Sequence, residues 1–174
     1  MTKDELEQAV ERLASLPPRL TDLAASFPEK AERAGPSAGG FTLVEHLAHL
    51  RDIEREGHGL RIRQLLDDAQ PVLRNIDGDR LAVERAYNSV DTVASALAAF
   101  GRSRRENVSL LASLSAAALE REGRFEGMGV VSLARVVEMM CEHDEDHHRG
   151  IEALRSELEG AIRETDGGHA VPAR

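Results

Sequence analysis

Four long segments of the chain repeat apolar residues at the spacing of an α-helix, and this periodicity constrains the fold more than any other feature. The segments cover residues 3–16, 42–67, about 91–114 and 132–160. Residues that favour strands are scarce, since aromatic residues make up 3% of the chain and tryptophan is absent. Leucine and alanine, which favour helices, dominate the apolar residues instead. We therefore predict an all-α four-helix bundle with one longer crossover connection, short extra helices and essentially no sheet.

Several helix starts have a capping residue in the sequence. Thr42 is followed three residues later by Glu45, and together they form a capping box that begins the second segment. Ser132 can cap the last long helix, and Asp79 can cap a short helix over residues 79–86. The sequence therefore fixes where three of the helices are expected to begin.

Helix-breaking residues mark two expected interruptions. Pro17 and Pro18 are expected to end the first helix, because proline lacks the N–H group and clashes with the preceding turn. A separate short helix would then cover residues 18–26. Residues 121–131 contain three glycines and are predicted to form a loop.

Length and charge limit the class of protein. The chain has 174 residues, which suffice for one domain with a core. We predict that residues 1–160 form this single domain and that residues 161–174 form a disordered tail. The net charge of −9 repels phosphate backbones and anionic lipids, so we expect neither nucleic acid nor a membrane as a partner.

Compartment and assembly follow from a few further residues. The single cysteine, Cys141, fits a reducing compartment, and the first residues lack the apolar core of a signal peptide. We predict a cytoplasmic protein. Apolar residues on the flanks of two helices, such as Val44, Ala48 and Leu66, are expected to be exposed and to exceed what one core needs. We therefore predict a homodimer.

The last segment contains the run His143-Asp144-Glu145-Asp146-His147-His148. His143 and His147 lie four residues apart, which places them about 40° apart around a helix and one turn above each other. Two imidazoles in this relation can hold one metal ion. His147 falls inside the apolar stripe of the helix, and burying it unpaired would be costly. A shared metal removes that cost, and a hydrogen-bonded polar layer without metal is the alternative.

The second segment offers two candidates for a third ligand, His46 and His49, and the helical wheel does not choose between them. His148 points about 100° away from His147 and is interpreted as solvated or as lying outside the ligand set. Asp144 lies at the edge of the apolar stripe and could orient an imidazole or bind the metal directly. A basic cluster on the third helix is interpreted as a solvated face; its members are Arg102, Arg104 and Arg105.

Two motifs resemble those of a known family. Residues 41–54, Phe-Thr-Leu-Val-Glu-His-Leu-Ala-His-Leu-Arg-Asp-Ile-Glu, resemble the first motif of the DinB-like family of four-helix-bundle metalloenzymes. That motif has an aromatic residue, a Ser/Thr cap, a glutamate and then a histidine followed by leucine. The pair His143 and His147, followed by Ile151, is similar to the second motif. The resemblance covers roughly residues 3–158.

The resemblance implies a ligand set and two departures from the family pattern. The metal ligands that it implies are His49, His143 and His147, and His46 is not among them. Phe41 stands where the family often has tryptophan. Gly150 stands where the family often has glutamine, and this exchange is expected to alter the polar contacts below the site.

The resemblance also implies a function. It implies an enzyme with an open three-histidine divalent metal site, either a metal-dependent hydrolase or a low-molecular-weight-thiol-dependent transferase or isomerase acting on a small molecule. Imidazole ligands favour nickel or zinc over magnesium. Asp144 and Glu45 are candidates for a base or an orienting group. The alternatives are a non-catalytic metal- or ligand-binding bundle, such as a stress-related sensor or a structural metal site, and a metal-free interaction bundle.

Overall fold

In the described part of the chain, eight α-helices make up most of the fold, and four helical segments among them form a bundle. The computed structural model describes residues 1–28 and 30–167. In chain order the helices are α1 (Lys3–Ala25), α2 (Leu43–Asp52), α3 (Gly59–Asp67), α4 (Gly78–Glu84), α5 (Tyr87–Val90), α6 (Val93–Ala112), α7 (Ala116–Leu119) and α8 (Leu133–Gly167). The segment α2–α3, together with α1, α6 and α8, forms the bundle, in which α1 and α2 both pack against α6 and α8. The predicted all-α four-helix bundle is confirmed.

The first helix runs through both prolines, so the predicted break at Pro17 and Pro18 was wrong. Proline at position 17 removes the N–H that would bond the carbonyl of Leu13, four residues earlier. The Nη1 atom of Arg104, on α6, donates to this carbonyl oxygen at 3.2 Å instead. Because a neighbouring helix satisfies the freed carbonyl, α1 continues as one helix to Ala25.

The second bundle segment is helical throughout but is not uniform. Residues Ile53–His58 form a π-helical turn between α2 and α3. Such a turn accommodates one extra residue, and it is frequent at functional sites. Glu54 and His58 both lie on this turn and are buried, with exposed fractions of 1% and 4%. The turn therefore directs two polar side chains into the bundle.

The helix caps agree in part with the sequence. The N–H of Glu45 donates to Thr42 Oγ1 at 3.2 Å and the N–H of Thr42 donates to Glu45 Oε2 at 2.9 Å, so the predicted capping box is present. Ser132 caps α8 as predicted. Asp79 does not cap α4, because the helix begins one residue earlier and the carboxylate of Asp77 accepts the capping hydrogen bond.

A small three-stranded sheet lies at one end of the bundle, where the sequence predicted no strand. Its strands, in the order β1-β2-β3, are β1 (Val72–Leu73), β2 (Glu122–Phe125) and β3 (Gly129–Ser132). β1 pairs with β2 in parallel, and β2 pairs with β3 as an antiparallel hairpin. The prediction of a loop over residues 121–131 was wrong because Phe125 and Val131 both bury their side chains in the core. Gly127, with φ of 83°, allows the tight turn between the strands.

The apolar core consists of two clusters with polar residues between them. One cluster joins α3, the sheet and the first part of α8, and its buried members include Leu6, Leu13, Ile62, Leu65, Phe125 and Met140. The other joins α2 and the later part of α8, and its members include Leu16, Leu47, Ala48, Phe100, Ile151 and Leu154. On three of the four bundle segments, α2–α3, α6 and α8, buried polar residues lie between these clusters along the chain; they include Glu54, His58, Arg104, Asn107 and Asp144.

The apolar residues that suggested a dimer are not exposed. Val44 and Ala48 are fully buried, and Leu66 is partly buried against the core. The short helices α4 and α5 both pack on α2 and cover it, which the sequence did not reveal. The homodimer stays a prediction, without these residues as its basis.

The last helix is longer than predicted. It extends to Gly167, so residues 161–167 of the predicted disordered tail are helical. Glu159 supports the extension through charge pairs with Arg155 and Arg163, each one helical turn away. The predicted tail residues 168–174 lie outside the described residues. Among the helices that are described, none is long and apolar enough to cross a membrane.

Candidate metal centre

Three imidazoles from two helices meet between α2 and α8. His49 comes from α2, and His143 and His147 come from adjacent turns of α8. One nitrogen from each ring lies within 4.8 Å of the others. The Nε2 atoms of His49 and His143 are 3.1 Å apart. The ring centroid of His147 lies 4.7 Å from that of His49 and 4.5 Å from that of His143. The four-residue spacing thus aligns both α8 histidines on the face towards α2.

The protonation state and spacing of these rings suit a metal. Burial lowers the pKa of His49 to about 4, although the charges of Asp79 and Asp52 oppose the shift. Burial also lowers the pKa of His147 to about 3 and that of His143 further. Neutral imidazole is the form that binds metals. Two ligands about 2.1 Å from a tetrahedral zinc ion are about 3.4 Å apart. The donor set therefore fits a borderline divalent metal.

His46 lies next to this group and outside it. Its Nδ1 atom is 2.8 Å from the Nδ1 atom of His147, and the two rings meet edge to face at 5.1 Å. Of the two candidates that the helical wheel left open, His49 is the one whose ring reaches the other two histidines. The grouped histidines are the three that the family resemblance implied as ligands, and their binding of a metal ion stays a prediction.

A fifth histidine, His58, borders the group and was missed by the sequence analysis. Its ring lies 5.4 Å from that of His143, and both of its ring nitrogens are buried without a hydrogen-bond partner in the described part of the chain. Burial lowers its pKa well below the usual value. An ideal α-helix would place His58 about 180° from His49. The π-helical turn changes this relation, so a helical wheel cannot detect it.

The two carboxylates proposed as a base or orienting group have other partners. Asp144 Oδ1 accepts from Arg104 Nη2 at 2.8 Å, and Asp144 Oδ2 also contacts this guanidinium. Glu45 belongs to the capping box with Thr42. In the described ranges, neither carboxylate forms a hydrogen bond with the three grouped imidazoles. These contacts give each carboxylate a structural role, and a catalytic role for either stays a prediction.

His148 is not solvated. Its exposed fraction is 9%. On one side, Nη2 of Arg19 on α1 lies 3.3 Å from both ring nitrogens. On the other side, the ring faces the carboxylate of Glu152 on α8. Its contacts in the described ranges are with residues outside the group of imidazoles, as expected from the 100° difference in direction from His147.

Arg104 forms a buried network beside the histidines, so its interpretation as part of a solvated face was wrong. Its Nη2 atom donates to Glu54 Oε2 and to Asp144 Oδ1, both at 2.8 Å. Asn107 Nδ2 donates to Glu54 Oε1 at 2.8 Å. The network connects α6 to the π-helical turn and to α8, next to His143. Its charges are paired, as buried charges must be.

Comparison with known proteins places the chain in a family. The family model of the DinB superfamily matches residues 4–151, which contain all three grouped histidines. This chain belongs to the DinB superfamily. The resemblance based on residues 41–54 and on His143 and His147 is thereby confirmed. A search of curated protein sequences found no match.

A solved structure shares the fold of this DinB superfamily member. YfiT from Bacillus subtilis is described as a probable metal-dependent hydrolase with an unusual four-helix bundle topology. The two structures superpose with a TM-score of 0.83, and the alignment covers 91% of this chain and 90% of that chain. Sequence identity is 17%, so the likeness shows the fold.

Proposed function

We propose that this DinB superfamily protein is a metal-dependent enzyme of the hydrolase type. The observation that carries the proposal is the convergence of three neutral, largely buried imidazoles, His49, His143 and His147, from two helices. No fourth histidine, cysteine or carboxylate joins the group among the described residues. Three protein ligands with an open position are typical of catalytic sites, whereas structural sites have four. YfiT, which has the same fold, is described as a probable metal-dependent hydrolase, and this favours hydrolysis over thiol-dependent transfer.

The chain provides binding, shielding and a proton acceptor around the ion. When bound, a divalent metal supplies a Lewis acid that lowers the pKa of a coordinated water towards about 7 and polarises a carbonyl oxygen. The ring of Phe41 covers one side of the group, 5.4 Å from the ring of His49 and 6.3 Å from that of His147. This aromatic ring contributes to the burial that lowers the pKa of His49 and His147.

The charges of two carboxylates, those of Asp52 and Asp79, raise the pKa of His49. Of these two, only Asp79 is available for proton transfer. Asp52 is fully buried and accepts hydrogen bonds from Arg51, Arg85 and Tyr87. Asp79 is exposed, and its carboxylate has no hydrogen bond or ion pair within the described ranges. Asp79 is therefore a better candidate for a general base than Asp144 or Glu45, whose carboxylates already have partners.

Nickel or zinc is the proposed ion, because imidazole suits borderline metals and magnesium prefers oxygen ligands. The alternative is a structural or sensor site. His46 and His58 border the group, and recruitment of either as a fourth ligand would close the site and favour that alternative.

Metal analysis of the purified protein and of single variants tests the site. With the metal supplied in excess, we expect one divalent ion per chain in the wild type and in His46→Ala, and none in His49→Ala or His147→Ala. The last variant leaves one ligand on each helix, and such a pair holds an ion loosely. Retention of metal in His147→Ala would contradict the site. Loss in His46→Ala with retention in His49→Ala would show that the other histidine of α2 is the ligand.

The reaction type has its own test. Zinc- and nickel-loaded protein would be assayed on a panel of carboxylic esters, amides and phosphoesters beside the chelator-treated protein. The proposal would be supported by hydrolysis that requires the metal and is lost in His147→Ala. Hydrolysis should also be lost in Asp79→Asn, although that variant retains the metal. Metal binding without hydrolysis of any ester, amide or phosphoester would favour the structural or sensor alternative.

Four wider predictions remain with this proposal. The substrate is a small molecule, and nucleic acid is not expected as a partner because the chain carries a net charge of −9. A cytoplasmic location and a homodimer are the other two, and light scattering tests the latter.

A further inference from the structure

His46 makes a polar contact with one member of the metal group. Its Nδ1 atom lies 2.8 Å from Nδ1 of His147, which is hydrogen-bond distance for two ring nitrogens. The Nδ1 atoms of His49 and His143 are buried and have no such partner in the described ranges. His147 is therefore the member of the group whose second nitrogen has a defined hydrogen bond.

The direction of this hydrogen bond determines which nitrogen of His147 can bind a metal. A neutral imidazole carries one N–H and one lone pair. If Nδ1 of His147 donates to His46, the lone pair of His147 resides on Nε2. If His46 donates instead, Nε2 of His147 carries the proton and cannot bind an ion. Metal-ligating histidines almost always donate their other N–H to a fixed acceptor.

Gly150 makes room for the ring of His46 on α8. A Cβ atom built at position 150 would lie 3.0 Å from Cε1 and 3.5 Å from Nε2 of His46. Because the distance to Cε1 is shorter than ordinary van der Waals contact, a larger residue at position 150 would require the His46 ring to shift by a few tenths of an ångström relative to its partner.

We propose that His46 is a positioning residue for the metal ligand His147 and that Gly150 provides the space for it. His46 accepts the Nδ1–H of His147, fixes the ring orientation and leaves the Nε2 lone pair free for the ion. The inference rests on the proposed metal site, and it adds a residue outside the ligand set together with the glycine on which its placement depends.

Four variants separate this role from a merely structural one. His46→Phe removes the acceptor and keeps an aromatic ring. His46→Asn retains an acceptor, because Oδ1 of asparagine is as many bonds from Cα as Nδ1 of histidine. Gly150→Ala displaces the ring without changing any polar atom. Gly160→Ala is the matched control, since it lies on the same helix and a Cβ there meets no atom within 4 Å.

The first readout is the dissociation constant for Zn²⁺ or Co²⁺ alone, measured by chelator competition on variants shown to be folded by circular dichroism. We expect His46→Phe to weaken binding about 10- to 100-fold. We expect Gly150→Ala to weaken it by a smaller factor, because alanine there requires the His46 ring to shift by only a few tenths of an ångström. The double variant His46→Phe/Gly150→Ala should bind the metal no more weakly than His46→Phe alone, because both changes act on the same contact. His46→Asn should bind within about threefold of the wild type, and Gly160→Ala should match it. Unchanged affinity in His46→Phe would overturn the inference.

The second readout needs no metal, so it stands even if the proposed function fails. Long-range ¹H–¹⁵N spectra of the metal-free protein report which ring nitrogen carries the proton. We expect His147 to be protonated at Nδ1 in the wild type and to lose this preference in His46→Phe. Protonation of wild-type His147 at Nε2 would overturn the inference. A wild type that binds no metal but shows the Nδ1 tautomer would contradict the metal site and leave the positioning contact supported.

Discussion

Gly78 lies directly against the imidazole of His49. A Cβ atom built at position 78 would fall 2.3 Å from Cε1 and 2.9 Å from Nδ1 of that ring. Gly78 is the first residue of α4, in the connection between two bundle segments. This connection therefore forms one wall of the candidate metal centre and limits the directions in which His49 can turn.

We predict that Gly78→Ala weakens metal binding about tenfold or more, because the added methyl group must displace the His49 ring from its position. Competition with a chelator for Zn²⁺ measures the change. Gly101→Ala, where a Cβ meets neighbouring atoms at 3.6 Å or more, should leave the affinity unchanged. Equal affinities in the two variants would show that the connection does not hold the ring.

The buried network around Arg104 predicts a large stability effect. Arg104→Met leaves the carboxylates of Glu54 and Asp144 buried without their cation and Leu13 without its donor. Removing one partner of a buried ion pair costs about 3–5 kcal/mol in the free energy of unfolding.

Urea denaturation of Arg104→Met measures this effect, and Arg135→Met serves as its control. Arg135 pairs with Glu138 and Glu142 at the surface, where such pairs contribute about 1 kcal/mol or less. Similar losses in both variants would mean that the Arg104 network does not behave as a buried one.

The unpaired ring of His58 predicts a pH dependence of stability. Burial lowers its pKa well below 6.5 in the folded chain, whereas the unfolded chain takes up the proton near pH 6.5. Below pH 6.5 the unfolded state therefore binds more protons than the folded state. For this histidine, the free energy of unfolding decreases by about 1.4 kcal/mol for each unit by which the pH is lowered. In the metal-free protein, His58→Phe should remove that part of the slope between pH 6 and pH 5. Urea titrations at both pH values test it, and an unchanged slope would contradict it.

The same lowering of pKa values predicts how metal binding responds to protons. With the pKa of His49 at about 4 and that of His147 at about 3, the folded site is already deprotonated at pH 6. Binding at pH 6 should therefore release no protons from the ligands, unlike binding to flexible histidines with a pKa near 6.5. Calorimetry in two buffers of different ionisation enthalpy measures the proton count. A release of about one proton or more would contradict the prediction.

Local signals explain what the sequence predicted correctly. The capping box of Thr42 and Glu45 involves neighbours along the chain, and so does the Ser132 cap. The spacing of His143 and His147 is also local, because four residues fix a direction on any α-helix. Each of these features can be evaluated without knowing what packs against the helix.

Features that depend on distant residues were missed. Pro17 does not end α1 because Arg104, far along the chain, supplies the missing donor. The strands of the hairpin are four residues long and were hidden by their glycines. The choice between His46 and His49 needed the position of α8, since both residues lie on the same side of α2.

The π-helical turn sets the phase between the two halves of the core. α2 belongs to one apolar cluster, and α3, through Ile62 and Leu65, belongs to the other. Each residue of an α-helix advances the direction of its side chain by about 100°. Deleting one residue from Ile53–His58 would therefore leave His49 facing α8 while turning Ile62 and Leu65 out of their cluster. The surplus residue lets a single helical segment face the candidate metal centre on one side of the turn and fill an apolar core on the other.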